Sequence, residues 1–155
     1  MLSQIAVYMT SYDYVRKRLE KILDENITLN VEKGNPHSKE TPSDILVETT
    51  EKFSGASCTS STIQFVSDKS GECLAHAELS TFDSEPIAVI DWIEVEKELR
   101  GNGIGRLLRK AVVEDLSNNK KIYTAIENDK MISVALDQGF KQIHEGELSE
   151  WFIRS

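Results

Sequence analysis

The chain is short of cysteine, has no long apolar run and carries fewer positive charges than negative. Its 155 residues hold two cysteines, Cys58 and Cys73, with no C-x-x-C pair and no matching histidine spacing. That pattern argues against a zinc site and against a disulfide framework. Cys73 lies in a strand-like run and is expected to be a small buried hydrophobe. No 18 consecutive apolar residues occur, so no segment reads as membrane-spanning. The opening "MLSQIAVYMTSYDYVRK" lacks the basic start and long apolar region of a secretory signal. Together these absences point to a reducing, cytoplasmic setting. Eighteen Lys and Arg stand against 26 Asp and Glu, a net charge of −8, which disfavours nucleic acid as a partner.

What is present fits one globular α/β domain, spanning 1–155. The hydrophobic share is 39% and the charged share 28%, enough to bury a real core at this length. Charge is unevenly spread. Residues 97–121 carry seven cationic side chains (Lys97, Arg100, Arg106, Arg109, Lys110, Lys120 and Lys121) against three carboxylates, +4, leaving −12 to the remainder. A basic, glycine-rich segment in an acidic protein suggests a small anionic ligand there; an ordinary solvated helix face is the plainer reading.

Along the chain, "QIAVYM" reads as a short strand. "SYDYVRKRLEKIL" spaces Tyr14, Val15, Leu19 and Ile22 at helical intervals, with Asp13 as a candidate cap. Residues 30–61 read as an atypical, loop-rich segment: "NVEKGNPHSKETPSD" is polar and carries proline and glycine, and "DILVETTEKF" fits a strand or a short helix. From residue 62 the pattern sharpens. "TIQFVSD" and "CLAHAELSTF" form a hairpin across "KSGE". "IAVIDWIEVE" reads as a strand buried on both faces. A helix over 104–117 aligns Ile104, Leu107, Leu108, Ala111, Val112 and Leu116 in one stripe. "KIYTAIE" is a strand, "DKMISVALDQ" a helix stopped by Gly139, and "FKQIHEG" and "LSEWFIRS" two closing strands. The order is β-α(-α)-β-β-β-α-β-α-β-β, a mixed central sheet flanked by helices.

The strand-to-helix junction "ELRGNGIGRLL" places Gly101, Gly103 and Gly105 at alternate positions. The first turn of a helix offers unpaired N–H groups and a partial positive charge, a ready phosphate site. Glycine lets an anion approach those amides because no Cβ intervenes. A tight left-handed turn would need one such glycine, not three. The spacing is neither G-x-G-x-x-G, since position 106 is Arg, nor the P-loop string G-x-x-x-x-G-K.

"RGNGIG" resembles instead the R/Q-x-x-G-x-G/A motif of the GNAT superfamily of acetyl-CoA-dependent N-acetyltransferases, with Arg100, Gly103 and Gly105 at its defined positions. "IENDKMISVALDQGF" resembles that family's later asparagine-helix-Gly-Phe segment through Asn128, Gly139 and Phe140. The element order agrees. The resemblance spans about 62–155 and is absent over 30–61.

The resemblance implies acetyl-CoA as cofactor and a primary amine as acceptor: a protein N-terminus or lysine, a polyamine or a small-molecule amine, attacking directly in a ternary complex. It implies that the amides of Arg100, Gly101, Asn102, Gly103, Ile104 and Gly105, with Arg106, hold the diphosphate. The pantetheine arm would pair with main-chain groups over Ile93 to Glu96, including Val95, and with Asn128, which could equally cap the helix at 129. An amide near Val95 is the implied oxyanion donor. The candidate bases are Asp91 and Glu94, expected on opposite faces of their strand, with Val89, Asp91, Ile93 and Val95 sharing one face. The family's thiolate-protonating tyrosine is replaced by Ala135; Tyr123 or His144 are candidate substitutes. The alternative is a non-catalytic acyl-CoA sensor or regulatory domain. No metal, nucleic-acid or membrane role is implied, and a homodimer is compatible with the sequence.

Overall fold

The computed structural model describes residues 10–34, 37–38, 57–82, 87–119, 121–126, 129–145 and 150–154. The segments proposed as "QIAVYM" and "DILVETTEKF" lie outside the described residues.

Helix α1, Ser11–Leu23, starts in a capping box. Thr10 is the N-cap and Asp13 the third helical residue, its carboxylate accepting the Thr10 N–H at 3.0 Å. Asp13 was expected as the cap itself; the reciprocal pair satisfies two orphan helix-end donors, which a single cap would not. The helix buries Tyr12, Val15 and Leu19. Tyr14, expected inside, is 59% exposed. Val15 and Leu19 set the inward stripe, and Tyr12, three residues before Val15, lies on it.

A strand not expected from the sequence follows. β1, Ile27–Lys33, pairs antiparallel with β3, Ser57–Ser67, and the two-residue β2, His37–Ser38, extends the same neighbour. The loop-rich reading of 30–61 is therefore wrong over 30–33, 37–38 and 57–61. Ile27, Leu29 and Val31 do alternate, but only Ile27 is fully buried and Val31 is 53% exposed, so the strand's apolar signal is weak.

β4, Cys73–Phe82, and β5, Ile87–Val95, continue the antiparallel run. A short 3-10 turn, Lys97–Leu99, leads to α2, Ile104–Asp115. Then come β6, Lys121–Ile126, α3, Asp129–Asp137, β7, Lys141–Glu145, and β8, Glu150–Arg154. The sheet order is β1-β3-β4-β5-β6-β8-β7, and β5 with β6 is the parallel pair. A parallel pair needs a crossover, which α2 supplies. Gly139 ends α3 at φ +93°, with Phe140 N–H reaching back to the Ala135 carbonyl, as expected for a C′ glycine.

The main core lies between one sheet face and the packed pair α1 and α2. Val15, Leu19, Leu108 and Val112 meet Ile63, Phe65, Ala77, Leu79, Ala88 and Ile90 there. Cys58 is fully buried, whereas Cys73, at the exposed start of β4, is not the buried hydrophobe expected.

The α1–α2 contact is closed by the Tyr12 hydroxyl, which donates to Asp115 at 2.8 Å. Burial first, and then the Asp115 charge, push the Tyr12 phenol well above its ordinary range. The unfolded phenol ionises near pH ~10 while the folded one keeps its proton, so this contribution is present below pH ~10 and fades above it. Tyr12→Phe should lose about 1 kcal/mol in urea unfolding at pH 7 and flatten part of the alkaline decline. An unchanged midpoint at pH 7 would show that the Tyr12–Asp115 bond adds nothing to the join between the helices.

Candidate active site

The glycine loop behaves as its chemistry requires. Gly101 and Gly103 hold φ of +89° and +76°, a left-handed backbone that favours glycine, and an added Cβ at either would meet nothing within 4 Å. Gly105 is different. Its backbone is helical, and a Cβ would make ordinary contacts with Met131 and Val95 at 3.7 to 3.9 Å. The turn thus accounts for two of the three glycines. Gly103 is the N-cap of α2 and provides no side-chain cap, and the first turn holds no acidic residue. The first helical bond runs from Leu107 N–H to the Gly103 carbonyl. Ahead of that bond the amides of Gly103, Ile104, Gly105 and Arg106 have no intrahelical acceptor.

That loop opens onto a cleft of about 450 Å³ between β5, α2 and α3. Ile93, Val95, Arg100, Gly101, Gly103, Ile104, Gly105, Arg106 and Glu94 line it, so most of the expected cofactor residues converge there. Asn102 does not line it; its side-chain amide donates to the Leu99 carbonyl at 3.0 Å and holds the preceding turn. Arg100 folds back so that Nε donates to the Val95 carbonyl at 3.1 Å. Arg106 pairs with Asp137 at 3.3 Å, both more than half exposed, a contact worth about 0–1 kcal/mol and readily exchanged for an anion. At the rim, a hydrogen bond with the Glu98 carboxyl, followed by burial and Glu98's like charge, raises Glu96 above the usual carboxylate range.

The cleft exists because two parallel strands part. β5 and β6 pair from Ile87↔Lys121 to Ile90↔Thr124 and no further. Beyond Ile90, no described strand pairs with β5 on that side. Glu96 N–H donates to Leu74 on β4. By strand alternation the main-chain groups of Val95 and Ile93 then point the other way, into the splay. These are the two residues expected to meet a pantetheine arm through their backbone.

A bulge changes the side-chain parity. Glu78 opposes Trp92 but Leu79 opposes Ile90, which leaves Asp91 as an extra residue. His76, Glu78 and Ser80 share one face of β4. Glu94 and Trp92 lie opposite the first two, and Asp91 accepts a hydrogen bond from Ser80 at 2.5 Å. Asp91 and Glu94 therefore lie on the same face, not on opposite faces, and Ile93 and Val95 lie on the other. Half-buried Asp91 and exposed Glu94, which accepts from Trp92 Nε1 at 3.0 Å, both look away from α1 and α2. Tyr123 pairs with Val89, which opposes Ser80, so it occupies this face too; it is fully buried and does not line the cleft. Asn128 and the side chain of His144 lie outside the described residues. Ala135 is fully buried on α3.

One cleft residue escaped the sequence reading. Arg109, counted among surface cations, is 4% exposed and lines the cleft. Its Nη1 donates to the Thr124 hydroxyl at 3.3 Å, and its Nε is enclosed without a partner. Burial alone pushes the guanidinium down to about 10, still charged at neutral pH. The sequence signal was faint: Arg109 lies about 100° round the helix from Leu108, at the margin of the apolar stripe and next to buried Val113.

Comparison with known proteins agrees with this geometry. The family model described as Acetyltransferase (GNAT) family matches residues 39–140, so the match begins inside the segment where no resemblance was expected. No curated protein matches the chain at a significant level. Among solved structures, the fold is similar to an acetyltransferase from Bacillus cereus ATCC 14579 (TM-score 0.53, 11% identity, 63% of this chain and 73% of that one). It is similar to an acetyltransferase from Thermus thermophilus (TM-score 0.51, 17% identity, 61% of this chain), of whose length it covers 63%. It also resembles nourseothricin acetyltransferase (TM-score 0.51, 13% identity, 83% and 97%). At such identities the structures speak for the fold, and the family match speaks for kinship. The chain belongs to the GNAT acetyltransferase family, whose cofactor is acetyl-CoA.

Proposed function

We propose that this chain moves the acetyl group of acetyl-CoA to a primary amine by direct attack in a ternary complex. The observation that carries this reading is the row of amides from Gly103 to Arg106 without intrahelical acceptors, at the uncapped start of α2 and the mouth of the cleft. Such a row suits a diphosphate, and the absence of any atom near a Cβ at Gly101 or Gly103 leaves room for one. When bound, acetyl-CoA supplies a thioester whose carbonyl carbon is open to a nucleophile.

The chain's own groups divide the remaining work. Arg106 can leave Asp137 and add its charge to the loop. Main-chain N–H and C=O groups of Ile93 and Val95 align an extended arm as an added strand, and an N–H there is the donor for the oxyanion. The amine arrives from the opposite sheet face. That face carries Glu78, Asp91 and Glu94 close together, which favours an ammonium over an anionic acceptor. An ammonium must lose a proton before it attacks. Asp91, at the bulge beside the parting strands, is the candidate base; Glu94 is the second.

Ala135 supports one rival reading, a domain that binds the cofactor without turnover, because the side chain there cannot protonate a leaving thiolate. Among the described residues, no helix is long and apolar enough to cross a membrane, and both cysteines are free thiols, which suits a cytoplasmic enzyme.

Gly103→Glu should fold with a loss of about 1–2 kcal/mol, because its Cβ position is open but its left-handed backbone strains any side chain, and should abolish coenzyme A binding in calorimetry. Gly105→Ala should bind normally and gain up to about 1 kcal/mol of helix stability. Equal affinities in wild type and Gly103→Glu would refute the loop assignment.

Asp91→Asn should lower kcat by about 10²- to 10⁴-fold while leaving coenzyme A affinity unchanged. A full rate in that variant would pass the role to Glu94. The rival reading wins if coenzyme A binds saturably and no amine in a broad panel releases free thiol from acetyl-CoA.

A further inference from the structure

Among the described residues that line the cleft, Arg109 stands apart. Arg106 has a carboxylate partner, and Arg100 is bonded to a backbone carbonyl at the cleft mouth. Arg109 is buried within the wall, with one long bond to a neutral hydroxyl. Among the described residues no carboxylate lies within ion-pair distance of it. Its Nε is enclosed without a partner, its Nη2 makes no bond to a described residue, and the side chain lines the cleft. A guanidinium removed from water without a counter-charge is unfavourable, and an anion arriving in the cleft would relieve that.

Depth decides which part of a bound thioester meets Arg109. The loop amides lie at the Val95 end of β5. The Arg109–Thr124 bond lies at the level of the last β5–β6 pair, Ile90↔Thr124. At about 3.3 Å per residue along the strand, that level is roughly 13–16 Å deeper. A diphosphate held at the Val95 end would lie that far from the Arg109–Thr124 bond. The thioester carbon must lie where the strands have already parted, level with Asp91, for an amine to reach it from the far face. What continues to the closed end of the splay is the acyl tail. A methyl group gives Nη2 nothing to bond.

We propose, building on the acetyltransferase reading above, that this slot also takes an acyl-CoA whose tail ends in a carboxylate, the coenzyme A monothioester of a short dicarboxylic acid, and that Arg109 receives that carboxylate. The transfer is otherwise unchanged. The amine nitrogen bonds to the thioester carbon, the C–S bond breaks with its electron pair on sulfur, and the proton lost by the amine ends on the thiolate. The products are an amide bearing a free acid and coenzyme A. No electrons are exchanged with a further reagent.

The test is calorimetric binding to the full chain, which needs no acceptor. Succinyl-CoA, butyryl-CoA and free coenzyme A serve as probes; the first two share a four-carbon acyl group and differ in the charge at its end. Succinyl-CoA should bind about 10- to 100-fold tighter than butyryl-CoA, the range of a charged hydrogen-bonded contact. Arg109→Gln should erase that gap and leave free coenzyme A unaffected. Arg109→Leu, an apolar occupant of the same buried stripe, replaces it if the glutamine variant unfolds. Equal wild-type affinities for the two thioesters would overturn the proposal. So would a variant that weakens free coenzyme A and both thioesters alike, because Arg109 would then serve the phosphates or the fold. If no coenzyme A species binds at all, the function proposed above falls first; binding without a gap sinks this inference alone.

Discussion

The structure depends on the point where β5 leaves β6. Hydrogen bonding between these parallel strands stops at Ile90↔Thr124. Had it continued, the backbone of Ile93 and Val95 would be consumed by the sheet and no cleft could open beside α2. The bulge at Asp91 lies one residue past the break. Extra residues of this kind raise local twist and re-aim side chains. Here the bulge brings Asp91 and Glu94 onto one face while Ile93 and Val95 keep the core side.

Around that break, polar groups are left unpaired in an ordered way. The amides of Gly103 to Arg106 lack intrahelical acceptors, and Arg109 has no counter-charge among the described residues. Such groups lower stability in the free protein. The compensation comes from the α1–α2 face, where an extensive apolar core and the Tyr12–Asp115 bond hold α2 in place. One helix thus has two faces with different tasks. Its Leu108–Val112 side is fixed to the sheet, and its first turn is left open.

The two sheet faces also divide the labour. The face toward α1 and α2 is apolar. The other carries His76, Glu78, Ser80, Asp91 and Glu94 around half-exposed Trp92.

Local chemistry made much of this legible from the sequence. Glycines at 101 and 103 announce a left-handed turn, a following stripe of Ile104, Leu108 and Val112 announces a helix, and Gly139 announces a helix end, because each depends on a few neighbouring residues. β1 was overlooked although Ile27, Leu29 and Val31 alternate, since an edge strand buries little and its pattern is faint. The shared face of Asp91 and Glu94 was out of reach, because a bulge is a property of two strands and their register. Arg109 shows the same divide. Its spacing put it only at the margin of the apolar stripe, and the packed helix, sheet and cleft decided that a charge would be buried there with no carboxylate partner among the described residues. Sequence alone determined the glycine turn, the helix after it and the element order from residue 62. Tertiary structure decided what lines the cleft beside them, because burial, register and strand parting arise only when distant segments meet.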